Sequence, residues 1–431
     1  MSISVQRVSD RLFLALVAVL PLHTVYFHKW ISWKPWLVLL GGVTLVDLVG
    51  RRGLRWGRSE ILAVGLFLVA VLLSWPGPGA PNTFWRLVLA LGAGALLLVV
   101  TGVHARDLDR VLRTIFWSGA ALAATGLVFG LLTNGVMGSG VVNWVNELPI
   151  VDRVNKPAYV LGFVAVTNWH QDPGYAALWT NVWFVLAGHA WLRGVVRAPR
   201  WVGALVLGGL ATSTVLTLSR TGWFGLVVGA GALLLTARAN PGRSIRLVAA
   251  AAGVSVMMLL ALFITDPPEV GNDMARSVAF RLSNIVTLGE IEVTDDLAVP
   301  GGEPGDNRLE VWPQYWERFL TSPLRGTGLG AGWAETDFQE PHNLWLQLAA
   351  ETGILGVAGF LAMLGLLASA HGRPGPVVAA SIVVVGLATL TQTVLFEPVL
   401  WFVLGLWCAT SRSMDADDDR TVLTAVGSGP A

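Results

Sequence analysis

Near the C-terminal third the chain reads Pro341-His342-Asn343-Leu344-Trp345-Leu346-Gln347 and then Glu351-Thr352-Gly353-Ile354-Leu355-Gly356. His342 stands just before a long apolar run. An imidazole in that position titrates near neutral pH and can exchange a proton with a hydroxyl group. If the run is helical, about four turns separate His342 from Gly356. The glycines permit close helix packing, and a helix N-terminus favours an anion. The bland alternative is a histidine satisfied by backbone at a membrane interface.

Two arginines add a second kind of chemistry. Leu218-Ser219-Arg220-Thr221-Gly222-Trp223 forms a turn of a few residues between two apolar runs. A guanidinium there can hold phosphate oxygens through charge-assisted, bidentate hydrogen bonds, or it can snorkel to lipid headgroups. Asn307-Arg308-Leu309-Glu310-Val311-Trp312 precedes Ser322-Pro323-Leu324-Arg325-Gly326-Thr327-Gly328-Leu329-Gly330. Arg308 is the second candidate phosphate ligand. The glycines of 326–330 make a tight turn or a phosphate cradle. Asn168-Trp169-His170-Gln171-Asp172-Pro173-Gly174 reads as a helix start, with Asp172 as N-cap and Pro173 at the first helical position. Arg86, Arg153 and Lys156 add external positive charge, Arg276, Arg281 and Arg325 are further candidates, and Asn343 stands beside the histidine. Glu397-Pro398 has no assigned role.

These residues must be positioned by membrane-spanning helices. Of 431 residues, 54% are hydrophobic and 13% charged, about half the charge of a soluble domain. Charges fall in islands between apolar runs of about 20 residues, the length that crosses a bilayer as helix. Strand-like alternation is absent, so a β-barrel is not expected. Spans are expected at about 12–28, 33–50, 61–78, 85–103, 112–132, 174–192, 201–218, 221–237, 246–265, 345–370, 375–395 and 398–411. Arginine placement puts the N-terminus in the cytoplasm, with Arg51, Arg52, Arg55 and Arg58; Arg106, Arg110 and Arg113; Arg193, Arg197 and Arg200; and Arg238, Arg243 and Arg246 on inside loops. The first run lacks a cleavage site and reads as a retained helix. Residues 1–265 then hold spans one to nine, with an external loop at 133–173. Residues 266–344 form a large external loop, 345–411 the last three spans, and 412–431 a cytoplasmic tail whose acidic residues read as a solvated end.

The large loop carries 14 acidic residues, five Arg and no Lys. Within it, 307–320 has helical patterning, with Leu309, Trp312, Trp316, Phe319 and Leu320 on one face. That helix is expected on the external membrane surface or capping the bundle, while 290–306 is expected to be mobile. Many of the 20 Trp lie at span ends and suit an interfacial belt; Trp144, Trp169, Trp312 and Trp333 in external loops could instead stack on sugars. The single cysteine, Cys408, excludes an internal disulfide and a Cys-based metal site. A net charge of +1 from 26 Arg and 3 Lys, without a dense basic run, gives no sign of nucleic acid. Walker, Asp-x-Asp and His-Glu-x-x-His patterns are absent.

The motifs resemble those of the O-antigen ligase family. His342, Asn343, Gly353 and Gly356 match its signature without a gap, at the junction of the large external loop and the tenth span. Ser219-Arg220-Thr221-Gly222 is similar to a family Ser-Arg-Gly-Gly turn, with Thr221 a departure. Arg308 and the Gly-rich stretch after it have counterparts. In the family a Pro-Asn pair opens the sixth span, where this chain has Pro173-Gly174.

The resemblance implies an all-α integral membrane protein of about twelve transmembrane helices with a GT-C-like architecture. It implies a glycosyltransferase of the bacterial inner membrane, active on the periplasmic side. The donor would be a glycan on undecaprenyl diphosphate, the acceptor a lipid- or glycan-linked sugar hydroxyl, as in lipopolysaccharide assembly. In that reading His342 is catalytic and Arg220 and Arg308 bind the diphosphate, with Asn343, Arg153, Lys156 and Arg281 in support. Chemistry is inverting and needs neither metal nor cofactor. A polymerase of the same family, or a transporter of lipid-linked glycan, is the alternative.

Overall fold

The computed structural model describes residues 2–22, 34–50, 58–75, 82–131, 159–160, 163–165, 170, 172–236, 241–265, 308–331 and 340–410. Among these residues the chain is built from thirteen α-helices. They are α1 (Ser2–Val19), α2 (Pro35–Val49), α3 (Arg58–Leu73), α4 (Asn82–His104), α5 (Leu108–Leu131), α6 (Pro173–Leu192), α7 (Arg200–Leu216), α8 (Arg220–Thr236), α9 (Pro241–Thr265), α10 (Arg308–Thr321), α11 (Leu344–His371), α12 (Pro376–Thr389) and α13 (Pro398–Thr410). A short 3₁₀ turn, Val394–Phe396, joins the last two. The only strands among the described residues are β1 (Tyr159–Val160) and β2 (Phe163–Val164). They pair antiparallel, Tyr159 opposite Val164.

Three helical segments, Thr83–His104, Leu108–Gly130 and Leu344–His371, are long and apolar enough to cross a membrane, and seven shorter apolar helices of 10–17 residues accompany them. Among the described residues each expected span overlaps a helix, the first only in part because residues 23–28 lie outside them; the remaining helix is the one foreseen within the large loop. The first differs in position, since α1 begins at Ser2 rather than near 12. Its polar N-terminal turns stay helical because Ser9 and Asp10 have partners: Ser9 Oγ donates to Asp47 Oδ1 (2.6 Å) and Asp10 Oδ1 lies 3.2 Å from His104 Nδ1.

Helix α6 is the centre of the molecule. Nearly every residue from Ala176 to Trp191 is buried, as a helix apolar all round should be, and α5, α7, α8 and α12 pack against it. The C-terminal helix α13 crosses α4 at small residues. Trp401 lies over Gly94, Gly405 over Leu98 and Thr101, and Cys408 against Gly102. Side chains at those glycines would force the helices apart. Trp75, Trp85 and Trp201 are exposed at helix ends, as an interfacial belt requires, whereas Trp179, Trp183 and Trp401 are core residues.

Helix α11 is broken. Gly353 has φ 65° and ψ −167°, and the backbone of Leu324 and Arg325 lies directly against it. Loop N–H groups meet the carbonyls at the break: Thr327 N donates to Ala350 O (3.0 Å) and Gly328 N to Glu351 O (2.9 Å). Beyond it, Ile354 N donates to Pro323 O (2.8 Å). Gly353 is thus required by left-handed backbone and a close approach, not by helix packing as its spacing suggests. The residues after the break, 354–371, reach about 27 Å as helix, close to the ~30 Å of a bilayer core, so the turns before it have length to stand outside.

Helix α10 docks on those turns. Val311 and Tyr315 are buried against Ala350, with Phe319 and Leu346 alongside. The expected face is therefore rotated. Trp316 and Leu320 point outward, each more than half exposed, because the sequence carries two overlapping apolar stripes and the small Ala350 accepts the one with Tyr315. The Leu309 side chain lies outside the described residues.

Candidate active site

The start of α11 is fixed by Asn343. Its Oδ1 accepts from Leu346 N (3.0 Å) and its Nδ2 donates to Leu390 O (3.2 Å), so its role is a helix N-cap that also ties α11 to the end of α12. The residue before it, His342, has φ 46°. Such a conformation costs on the order of 1 kcal/mol or more in a residue with a Cβ and gathers at functional sites. Among the described residues the other non-glycine with positive φ is Leu218, at 52°, two residues before Arg220. The two strained positions therefore adjoin two of the motifs.

His342 lines a cavity of about 710 Å³ together with Lys34, Arg86, His170, Glu340 and Glu397. Its Nδ1 lies 3.2 Å from Gln392 Oε1. The amide oxygen accepts from Nδ1–H, which leaves Nε2 as the proton-accepting nitrogen. Gln392 reaches this position because residue 174 is glycine: a Cβ there would fall on the Gln392 amide. Gly174 at the start of α6 thus has a physical reason. Asp172 caps α6 as expected, accepting from Gly174 N at 2.6 Å and Tyr175 N at 3.3 Å, and Tyr175 donates its hydroxyl to Thr393 O (3.2 Å).

The cavity is electrostatically mixed. Burial pushes the Glu397 carboxyl up to about 7, against the pull of its hydrogen bond from Trp179 Nε1 (3.0 Å). Burial also raises Glu340, and Asp172 adds to this while the neighbouring His342 opposes it. His170, stacked on Trp179 at 5.8 Å, is pushed down to about 3 by burial and then by Lys34. Trp36 Nε1 is buried with no hydrogen-bond partner among the described residues, a donor left for a ligand. Leu89, Ala90, Ala93 and Phe396 form an apolar wall. The arrangement offers a proton acceptor, two cations for an anionic group and apolar surface for a hydrocarbon.

Arg220 opens α8 and is half-buried. It is not among the cavity-lining residues, but its turn abuts α6: Gly222 sits against Ala177 and its carbonyl accepts from Asn181 Nδ2 (2.8 Å). Arg308 opens α10 one turn before Trp312, whose Nε1 donates to Pro341 O (2.9 Å), next to His342; the Arg308 side chain lies outside the described residues. That bond ties the Trp312 N–H to the backbone. Arg153, Lys156, Arg276, Arg281, Trp144, Trp169 and Trp333 lie outside the described residues. The Gly-rich turn is not a phosphate cradle, because the N–H groups of Thr327, Gly328 and Gly330 are taken up by Ala350 O, Glu351 O and Glu351 Oε2.

Sequence reasoning missed Lys34, Glu340, Glu397 and Gln392. Lys34, Gln392 and Glu397 sit in connections without a motif, Glu340 directly precedes the Pro341-His342 motif, and only folding joins the first three to His342. The one available signal, for the ionisable three, was their placing at the ends of expected spans. Residues 203–361 match the family model described as O-antigen ligase. The matched segment runs from α7 into α11 and includes Arg220, Arg308 and His342. Lys34, Arg86, His170 and Glu397 lie outside it. No curated protein matches the chain.

Proposed function

We propose, on the premise that the chain carries an O-antigen ligase family domain, that it moves a glycan from undecaprenyl diphosphate to an acceptor sugar hydroxyl at His342. The domain supports lipid-linked glycan transfer by a bacterial membrane protein in general terms. The finer reading rests on one observation: the His342 ring is held by a neutral amide at a cavity that also offers Lys34 and Arg86.

In this mechanism His342 Nε2 takes the proton of the acceptor hydroxyl as its oxygen attacks the anomeric carbon. The bond from that carbon to the diphosphate oxygen breaks, with inversion. The leaving diphosphate carries the negative charge, which Arg220 and Arg308 stabilise, with Lys34 and Arg86 supplying further positive charge. The apolar wall takes the first part of the lipid. No metal is needed. The cavity lies on the periplasmic side of the inner membrane in a twelve-span, GT-C-like chain.

Transfer of lipid-linked polymer in isolated membranes tests this reading. His342→Ala is expected to lower the rate about 10²–10⁴-fold. Arg220→Ala is expected to raise the barrier by about 3–4 kcal/mol. Full activity of both variants overturns the assignment. Preformed polymer appearing on a lipid acceptor identifies a ligase; chains of mixed length grown from one lipid-linked repeat identify a polymerase.

A further inference from the structure

At the end of α11 opposite His342, three donors of different kinds meet. Glu60 comes from the first turn of α3, His371 is the last residue of α11, and Cys408 lies near the end of α13. Their ligand atoms all lie within 4.8 Å of one another. We propose that these residues form a zinc site that ties the three helices together.

Four observations carry this. First, the His371 side chain is 5% exposed and its Nε2 lies 2.9 Å from Glu60 Oε1, while this buried Nε2 makes no hydrogen bond among the described residues. A metal ion shared by the imidazole and the carboxylate would give that nitrogen a partner. Second, Ser59 Oγ donates to Glu60 Oε2 (3.2 Å). It holds the carboxylate by one oxygen and leaves Oε1 toward the imidazole, as outer partners of metal ligands do.

Third, the donor set suits the ion. Zinc takes imidazole at about 2.0 Å, thiolate at about 2.3 Å and carboxylate at about 2.0 Å, with tetrahedral angles, and the three protein donors leave the fourth position to a water molecule. Donors around such a centre stand about 3–4 Å apart, so small side-chain movements close the cluster. Fourth, the charges cancel. One carboxylate and one thiolate offset the two positive charges of zinc beside a neutral imidazole, which lowers the cost of burial for all of them. Cys408 is buried and unbridged, and the thiol proton leaves to solvent when zinc binds. The sequence expectation that one cysteine excludes a Cys-based metal site holds for multi-thiolate sites; a single thiolate beside an imidazole and a carboxylate departs from it. Trp407 Nε1, donating to Gly372 O (3.1 Å), already joins α13 to the end of α11.

The test uses the full chain purified in detergent, loaded with zinc alone and then desalted. One zinc per chain is expected, lost in Cys408→Ser and in His371→Gln. Zinc-edge X-ray absorption of the wild-type protein should show one sulfur among nitrogen and oxygen ligands, and cobalt in place of zinc should give a thiolate charge-transfer band. The wild-type spectra decide the matter even if a variant fails to fold. No zinc retained, or zinc with no sulfur neighbour, overturns the proposal and leaves Glu60 and His371 as an ion pair beside a spectator thiol.

Discussion

Helix α11 has a histidine at each end, and the two are treated differently. His342, just before its first residue, is half-buried, has left-handed backbone and rests on the neutral amide of Gln392. His371, its last residue, has its side chain buried beside the Glu60 carboxylate. The end of α4 repeats the second pattern. His104 sits between Asp47 Oδ2 at 2.8 Å and Asp10 Oδ1 at 3.2 Å, with Phe13 stacked on its ring. A carboxylate beside the ring holds it in place for structure, or shares a metal with it when the imidazole is neutral. An amide fixes the ring and leaves the other nitrogen able to take a proton. The partner, more than the histidine, separates the two kinds of site.

The largest expected effect lies at the carboxylate-bound end. Asp47→Ala removes one partner of a buried pair and leaves Ser9 and His104 without it. Breaking such a pair costs about 3–5 kcal/mol. Thermal unfolding in detergent should show that loss, while polymer transfer per folded molecule stays at the wild-type level. Unchanged stability would mean that the His104 cluster holds nothing together.

A smaller effect is expected inside the cavity, through pH. Glu397 stands at about 7 when folded against an ordinary 4.5, so folding favours its protonated form. The stability this gives is full below about 4.5 and is lost as pH rises through 7. The difference between wild type and Glu397→Gln should therefore shift against the wild type by up to about 3 kcal/mol across that window. His170, held near 3, acts with the opposite sign, favouring the fold above about 6.5 and losing that contribution as pH falls toward 3. It is common to both proteins and drops out of the difference. Parallel melting curves at pH 5 and pH 8 would show that Glu397 is not shifted.

Much of the scaffold was legible because bilayer length and the arginine pattern constrain each helix locally. α6, α8 and α11 lie within one or two residues of their expected starts. Arg220 was legible because it sits in a short turn between apolar runs, and His342 because it immediately precedes one. What could not be read was pairing at a distance. Gln392 is fifty residues from the imidazole it holds, and Gly174 explains itself only when the Gln392 amide lies on it. Trp179 meets Glu397 across 218 residues. The Gly353 break was hidden because its cause, the 323–328 loop, is a separate segment. Helix periodicity placed α10 but not its contact, since Val311 and Tyr315 pack on Ala350 while Trp316 and Leu320 face outward.

The finest distinction between the two ends can be tested by exchanging their partners. Gln392→Leu removes the acceptor for Nδ1–H, and Gly174→Ala drives a methyl into the Gln392 amide. Each should lower kcat of polymer transfer by less than the roughly 10²–10⁴-fold that loss of the base itself costs, with KM changing less. Gln392→Glu is more informative. It keeps the acceptor and the shape but puts a hydrogen-bonded carboxylate on the ring, the kind of partner that His104 and His371 have, in addition to the Glu340 carboxyl that already neighbours His342. The ring stays oriented, yet the carboxylate stabilises the imidazolium, which cannot accept a proton. The acid limb of the rate profile should move to higher pH by about one to three units, with activity recovering in alkaline buffer. A packing role for residue 392 would lower the rate equally at every pH, and that result would remove the amide from the mechanism.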